Sequence, residues 1–281
     1  FLPALQCGFV YDDHVDIRST HTLATTVSTS GGHDSVYVRT IAGPTIINGN
    51  DGSAGDTDTL TLRGTDGTTP LTSGQETVLA DFDAAGNAAN PLVTVSDTAS
   101  ATILYQLVNL TNIETVNFDL GDGNDDVTLR GPAVFGFASG VEGINVSTGG
   151  GDDPLILDLN GRDIMHSAPV TFDGGSGADS ILATGTPSFG LNDVTYTPGS
   201  APGSGQLVYD DGVSPEMTVD FLNVEPIIDL LPATLLIVNG TPADNAINYA
   251  RGSVAANGLV TVDNFEAIEF SNKTNLVINA G

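Results

Sequence analysis

The chain has 281 residues, long enough for one large domain or two ordinary ones, and carries 35 acidic side chains against 7 Lys plus Arg, a formal charge of −28. That balance excludes a basic footprint for nucleic acid and predicts repulsion from anionic membranes and polyanions. No apolar run reaches the length of a membrane-spanning helix. The 34 glycines, the absence of tryptophan and the wealth of Thr, Val, Ile and Leu favour strands joined by tight turns.

Residues 1–27 are expected to be an N-terminal segment or interface strand. It opens on the apolar run Phe1-Leu2-Pro3-Ala4-Leu5, and its Cys7, the lone cysteine, has no intrachain partner. With no leader before Phe1, an already removed export signal and an extracellular location are expected. From residue 28 to 281 one motif recurs: a glycine turn, an aspartate two residues after a glycine, and an aliphatic residue two positions beyond. It is present at Ser30–Val36 around Asp34, and in degenerate form at Asn50–Asp58. Residues 65–91 read as a loop insertion.

The repeat is sharpest in the middle of the chain. Asp122-Gly123-Asn124-Asp125-Asp126-Val127 is followed by Gly150-Gly151-Asp152-Asp153-Pro154-Leu155 and by Gly174-Gly175-Ser176-Gly177-Ala178-Asp179-Ser180-Ile181. The intervals are 28 residues from Asp125 to Asp153 and 26 from Asp153 to Asp179. A second element, Asn-aliphatic-Glu or a close variant, stands at Glu114, Glu142, Glu225 and Glu266. Glu114 precedes Asp125, and Glu142 precedes Asp153, by the same eleven residues. These glutamates read as outward-facing strand residues. Residues 186–216, with Thr-Pro-Gly-Ser-Ala-Pro-Gly-Ser-Gly at 197–205, read as a second loop insertion, and the turn around Asp244 as one more copy of the motif.

A repeat of this length without an amphipathic helix predicts an all-β fold, a right-handed parallel β-helix (β-solenoid) with irregular loops; β-sandwich repeats are the alternative. If the rungs stack, Asp125, Asp153 and Asp179 lie about 4.8 Å apart. Neighbouring carboxylates at that spacing repel by roughly 3 kcal/mol at an effective dielectric near 20.

Residues 174–182 resemble the nonapeptide calcium-binding repeat of RTX-type secreted bacterial proteins at every defined position. Leu120–Thr128 and Thr148–Ile156 match all but the first glycine. The Asn-aliphatic-Glu element and residues 270–278 look like the long β-strand-repeat surface proteins of environmental bacteria. The resemblance implies Ca²⁺ held by turn carbonyls and by Asp122, Asp125, Asp126, Asp152, Asp153 and Asp179. The competing reading is a metal-free turn whose aspartates bond local backbone amides.

Nothing in the sequence marks an enzyme. The seven basic residues are dispersed, the four histidines form no ligand pattern, and no phosphate loop or nucleophile motif is present. The four Asn-x-Ser/Thr triplets, at Asn109, Asn145, Asn239 and Asn272, read as chance occurrences. Apolar termini without polar caps predict head-to-tail self-association into a fibre, sheath, surface layer or matrix. A carbohydrate- or surface-binding adhesin module and a polysaccharide-degrading β-helix enzyme are the alternatives.

Overall fold

The computed structural model describes residues 5–6, 12–18, 23–49, 57–64, 75–81, 91–131, 141–162, 168–188, 190–212 and 217–281. The expectations for Phe1–Ala4, for Cys7, for most of the degenerate turn at 50–58 and for most of the 65–91 loop fall outside these residues. Among the described residues there is no helix. The strands are β1 (Leu5–Gln6), β2 (His14–Arg18), β3 (Thr25–Ser28), β4 (Ser35–Asn48), β5 (Thr59–Arg63), β6 (Glu76–Asp81), β7 (Val93–Asp97) and β8 (Ile103–Thr111). The middle of the chain adds β9 (Thr115–Asp119), β10 (Asp126–Arg130), β11 (Gly143–Ser147), β12 (Pro154–Asp158), β13 (Val170–Asp173) and β14 (Ser180–Thr184). Last come β15 (Leu191–Pro198), β16 (Gly205–Asp210), β17 (Met217–Leu222), β18 (Ile227–Asp229), β19 (Ala233–Asn239), β20 (Ile247–Arg251), β21 (Gly258–Val262), β22 (Ile268–Phe270) and β23 (Lys273–Asn279).

The expected all-β class is what the structure has, in the form of two long, mostly parallel sheets. The first runs β1, β3, β4, β8, β7, β6, β10, β12, β14, β18, β22, β21, β20 in hydrogen-bonded order. The second runs β2, β4, β5, β9, β11, β13, β17, β16, β15, β19, β23. Strand β4 belongs to both, pairing in the second sheet from Ser35 to Thr40 and in the first from Ile41 to Asn48.

Register follows the repeat read from the sequence. In the first sheet Val127 pairs with Leu155 and Leu155 with Ile181, the same two steps that separate the turn aspartates. In the second, Val116 pairs with Ile144 and Ile144 with Val170, again by those steps. Alternation puts every second side chain inside. The buried columns Val116–Ile144–Val170–Val219 and Val127–Leu155–Ile181–Ile227–Ile268 follow, and residues of both sheets merge into one apolar cluster. Each such side chain, fully buried, contributes about 1.5–3 kcal/mol.

Among the described residues three antiparallel excursions interrupt the parallel order, β6-β7-β8 and β20-β21-β22 in the first sheet and β15-β16-β17 in the second. The 186–216 loop is therefore a correction. Leu191, Val194, Tyr196, Leu207 and Tyr209 alternate into the core as a hairpin, and only residues 199–204 form its turn. The Pro-Gly-Ser composition belongs to the tip and hides two strands whose inward residues are apolar. Likewise β6, inside the 65–91 stretch, is a strand with Val78 and Ala80 buried.

Outward-facing ion pairs sit on the same register. Arg130 Nε lies 2.9 Å from Asp158 and its Nη1 3.7 Å from Asp81, while Arg162 also reaches Asp81 at 2.9 Å. The Arg130 side chain is 37% exposed, so solvent screens the pair. Arg130→Ala is expected to lower stability by no more than about 1 kcal/mol; a larger drop in the denaturant midpoint would mean that the guanidinium stem is a packing element.

Candidate functional site

At the corner where the chain passes into the first sheet, four successive repeats place an acid directly before, or as the first residue of, the strand: Glu76 in β6, Asp125 before β10, Asp153 before β12, Asp179 before β14. Their side chains form a ladder. The backbone N–H of Glu76 donates to Asp125 Oδ1 (2.6 Å), that of Asp125 to Asp153 Oδ1 (2.7 Å), and that of Asp153 to Asp179 Oδ1 (3.0 Å). These amides are buried and would lack acceptors without the carboxyls. Bonds from N–H to a charged acceptor are stronger than those between neutral groups. The expected local Asp–amide bond is thus replaced by one to an amide in the neighbouring repeat, which the parallel register brings alongside the carboxyl.

A second ladder occupies the corner leading into the other sheet. Asp13 N–H donates to Asp34 Oδ1 (2.7 Å), Asp34 N–H to Asp58 Oδ1 (2.9 Å) and Asp58 N–H to Glu114 Oε2 (2.6 Å). Glu114 is therefore a half-buried corner acceptor. The outward-facing reading is corrected for Glu266, which is buried and accepts the Gly203 N–H at 3.0 Å. Glu142 and Glu225 are exposed, as the sequence suggested. The constant eleven-residue offset between Glu and Asp was the available signal: it measures the distance from one corner to the other.

The turns themselves stack. Parallel bridges join Asp122 to Gly150 and Gly150 to Ser176. Gly151 N–H bonds Ser176 O at 2.8 Å, and Ser176 N–H bonds Gly149 O at 2.8 Å. An outer ladder runs in the opposite sense: Asp152 N–H donates to Asn124 Oδ1 (3.1 Å) and Ala178 N–H to Asp152 Oδ1 (3.0 Å). Of the six acids expected to bind metal, Asp125, Asp153 and Asp179 are buried together in the inner ladder, whereas Asp122, Asp126 and Asp152 are exposed. Asp244 joins neither group; it is exposed in the turn before β20.

The inner ladder is electrostatically unusual. Burial pushes the Asp125 carboxyl up to about 8; its backbone hydrogen bond opposes the rise, and the charges of Glu76 and Asp153 add to it. Burial also raises Asp179 to about 6, and raises Asp153. The second oxygens, Oδ2 of Asp125, Asp153 and Asp179 and of Asp34 in the other ladder, are buried without a hydrogen-bond partner. Lone buried carboxylate oxygens, hard donors in a column, are suited to either a proton or a hard cation. Among the described residues no three His, Cys, Asp or Glu side chains are arranged so that they alone could hold a metal ion. A cation at the turns would therefore draw part of its coordination from backbone carbonyls. Of the six acids, only Asp125, Asp153 and Asp179 offer an unpartnered buried oxygen to the Ca²⁺ that the nonapeptide resemblance implies.

No family model matches the chain, and neither a curated protein nor a solved structure is significantly similar to it.

Proposed function

We propose that the chain is a β-solenoid segment of an extracellular structural assembly, a fibre, sheath, surface layer or matrix, in which each repeat forms one stacked rung and Ca²⁺ stiffens the acidic turns. The observation that carries this reading is the rule obeyed by the antiparallel excursions. In β6-β7-β8 the third strand pairs with the preceding repeat (β4) and the first with the following one (β10). In β15-β16-β17 the third again pairs backward, with β13, and the first forward, with β19. In β20-β21-β22 the third pairs backward with β18. By the same rule β20 is the strand that a further rung would join.

Among the described residues β20 pairs only with β21, and β23 only with β19. Their outer side chains include Tyr249 (65% exposed) and the aliphatic Val277 and Ile278. Strand edges with apolar flanks invite strand addition. The rung that joins them carries the same alternation and extends the stack in one direction, which gives an open array and not a closed ring. In such a stack Asp122, Asp125, Asp126, Asp152, Asp153 and Asp179 would hold Ca²⁺, which supplies positive charge where carboxylates crowd. The strong acidity and the resemblance to secreted repeat proteins support the extracellular setting.

Electron microscopy of the purified native material, with sedimentation across a concentration series, tests the assembly. Elongated particles that lengthen with concentration are expected. Monodisperse compact particles at every concentration would overturn the polymer reading.

A further inference from the structure

The interior contains one feature that neither the repeat nor the turns explain. In the column Ala80–Leu129–Leu157–Ala183–Asp229–Phe270, every position is apolar except Asp229. Facing it is Lys273, the single lysine of the chain. Lys273 Nζ lies 3.0 Å from Asp229 Oδ1, with the two side chains 2% and 0% exposed. Two backbone carbonyls, Leu231 O and Ser271 O (3.2 Å), also accept from Nζ and aim it. Asp229 Oδ1 in addition accepts the Leu231 N–H at 3.0 Å, while Asp229 Oδ2 has no partner. The Tyr209 hydroxyl is buried and without a partner; burial raises its titration, and the nearby Asp229 charge adds to the rise.

We propose that Lys273 and Asp229 form an intramolecular isopeptide bond that ties β23 to β18. Three physical arguments carry it. The amine and the carboxyl are held in contact, which replaces a bimolecular encounter by an effective concentration on the order of 10⁵ M or more. The site is sealed, so the ion pair carries the desolvation cost of both charges, and the neutral acid–amine pair, one proton transfer away, is the form a low dielectric favours. Burial raises the Asp229 carboxyl and outweighs the lowering by the Lys273 ammonium, which again favours the neutral acid.

The step balances without any oxidant or cofactor. A proton passes from Nζ to the carboxylate, giving an amine and a carboxylic acid. The Nζ lone pair attacks Cγ and forms the C–N bond. The C–O bond to the hydroxyl then breaks, and that hydroxyl leaves with one Nζ proton as water. The remaining amide N–H keeps a carbonyl acceptor nearby. The result is a covalent loop joining residues 229 and 273, one in each sheet, at the end of the described stack.

The test is the intact mass of the fully denatured chain. The wild-type protein is expected to be one water lighter than its sequence, and Asp229→Ala and Lys273→Ala are each expected to have their full sequence mass. Proteolysis should release a branched peptide containing both residues. A wild-type chain at full sequence mass would overturn the proposal and leave an ordinary buried ion pair. So would a water loss mapped to a linear peptide, as from cyclisation at Asp122-Gly123 or Asp211-Gly212. Mass is read on unfolded material, so a variant that folds poorly still gives an answer.

Discussion

Replacing Gly151 by alanine is expected to destabilise the protein by about 3–5 kcal/mol, the sum of backbone strain and overpacking. Gly151 has φ +154°, and a Cβ there would stand 1.6 Å from the Gly123 carbonyl oxygen of the adjacent turn. Gly177, one repeat on, is in the same position, with φ +138° and the Gly151 oxygen 1.5 Å from where a methyl carbon would stand. Neither obstacle is a flexible side chain; both are backbone, fixed by the bonds that join the turns. Relief therefore requires the stack to part. Gly143 is the control, since its φ is ordinary and nothing lies within 4 Å of its added Cβ. Denaturant melts should show a large loss for Gly151→Ala and Gly177→Ala and almost none for Gly143→Ala. Equal effects at all three would mean that the turns are not packed on one another.

With calcium chelated, stability is expected to fall as pH rises from about 4 to about 8. The three aspartates of the inner ladder titrate near 3.8 when unfolded, and higher when folded, with Asp125 at about 8 and Asp179 at about 6. The folded state then binds more protons than the unfolded one across that window, so its advantage is complete below 3.8 and is lost as pH climbs through the folded values. The charged groups acting on these three acids are Glu76, Asp152 and one another, so removing protons leaves like charges facing each other.

Asp153→Asn keeps an oxygen for the Asp125 N–H and removes a charge; it should flatten the pH profile and stabilise the alkaline protein. Asp153→Ala leaves that buried amide without an acceptor and should cost about 1–3 kcal/mol at every pH. Calcium added to the wild type at alkaline pH should restore the lost stability. A flat wild-type profile would reject the proton-holding ladder, and an unchanged melt on adding calcium would reject the metal.

The spacing of Asp125, Asp153 and Asp179 made the register of the central strands legible, because a side-chain alternation of two and a near-constant repeat length leave little freedom in pairing. The ladders were not legible in the same way. A sequence shows an aspartate beside its own turn, whereas the amide it serves belongs to another repeat and becomes its neighbour only once strands pair. The hairpin at 191–210 was hidden by its own turn, whose prolines and glycines dominate the composition of a segment with well-spaced Leu191, Val194, Tyr196, Leu207 and Tyr209. Asp229 was in plain view as one acid inside Ile227-Ile228-Asp229-Leu230-Leu231. Its partner, 44 residues on, could be found only through the fold.

The three-strand excursions have an arithmetic behind them. A single strand and a set of three both leave the chain pointing the way it arrived; a set of two would reverse it and end the parallel order. Because each triplet restores direction, the 199–204 tip and its counterparts are natural ports for foreign sequence. A binding loop or a whole extra hairpin pair could be grafted there while the strands on either side keep their partners. The protein can thus acquire new surface chemistry at its flanks without renegotiating its core.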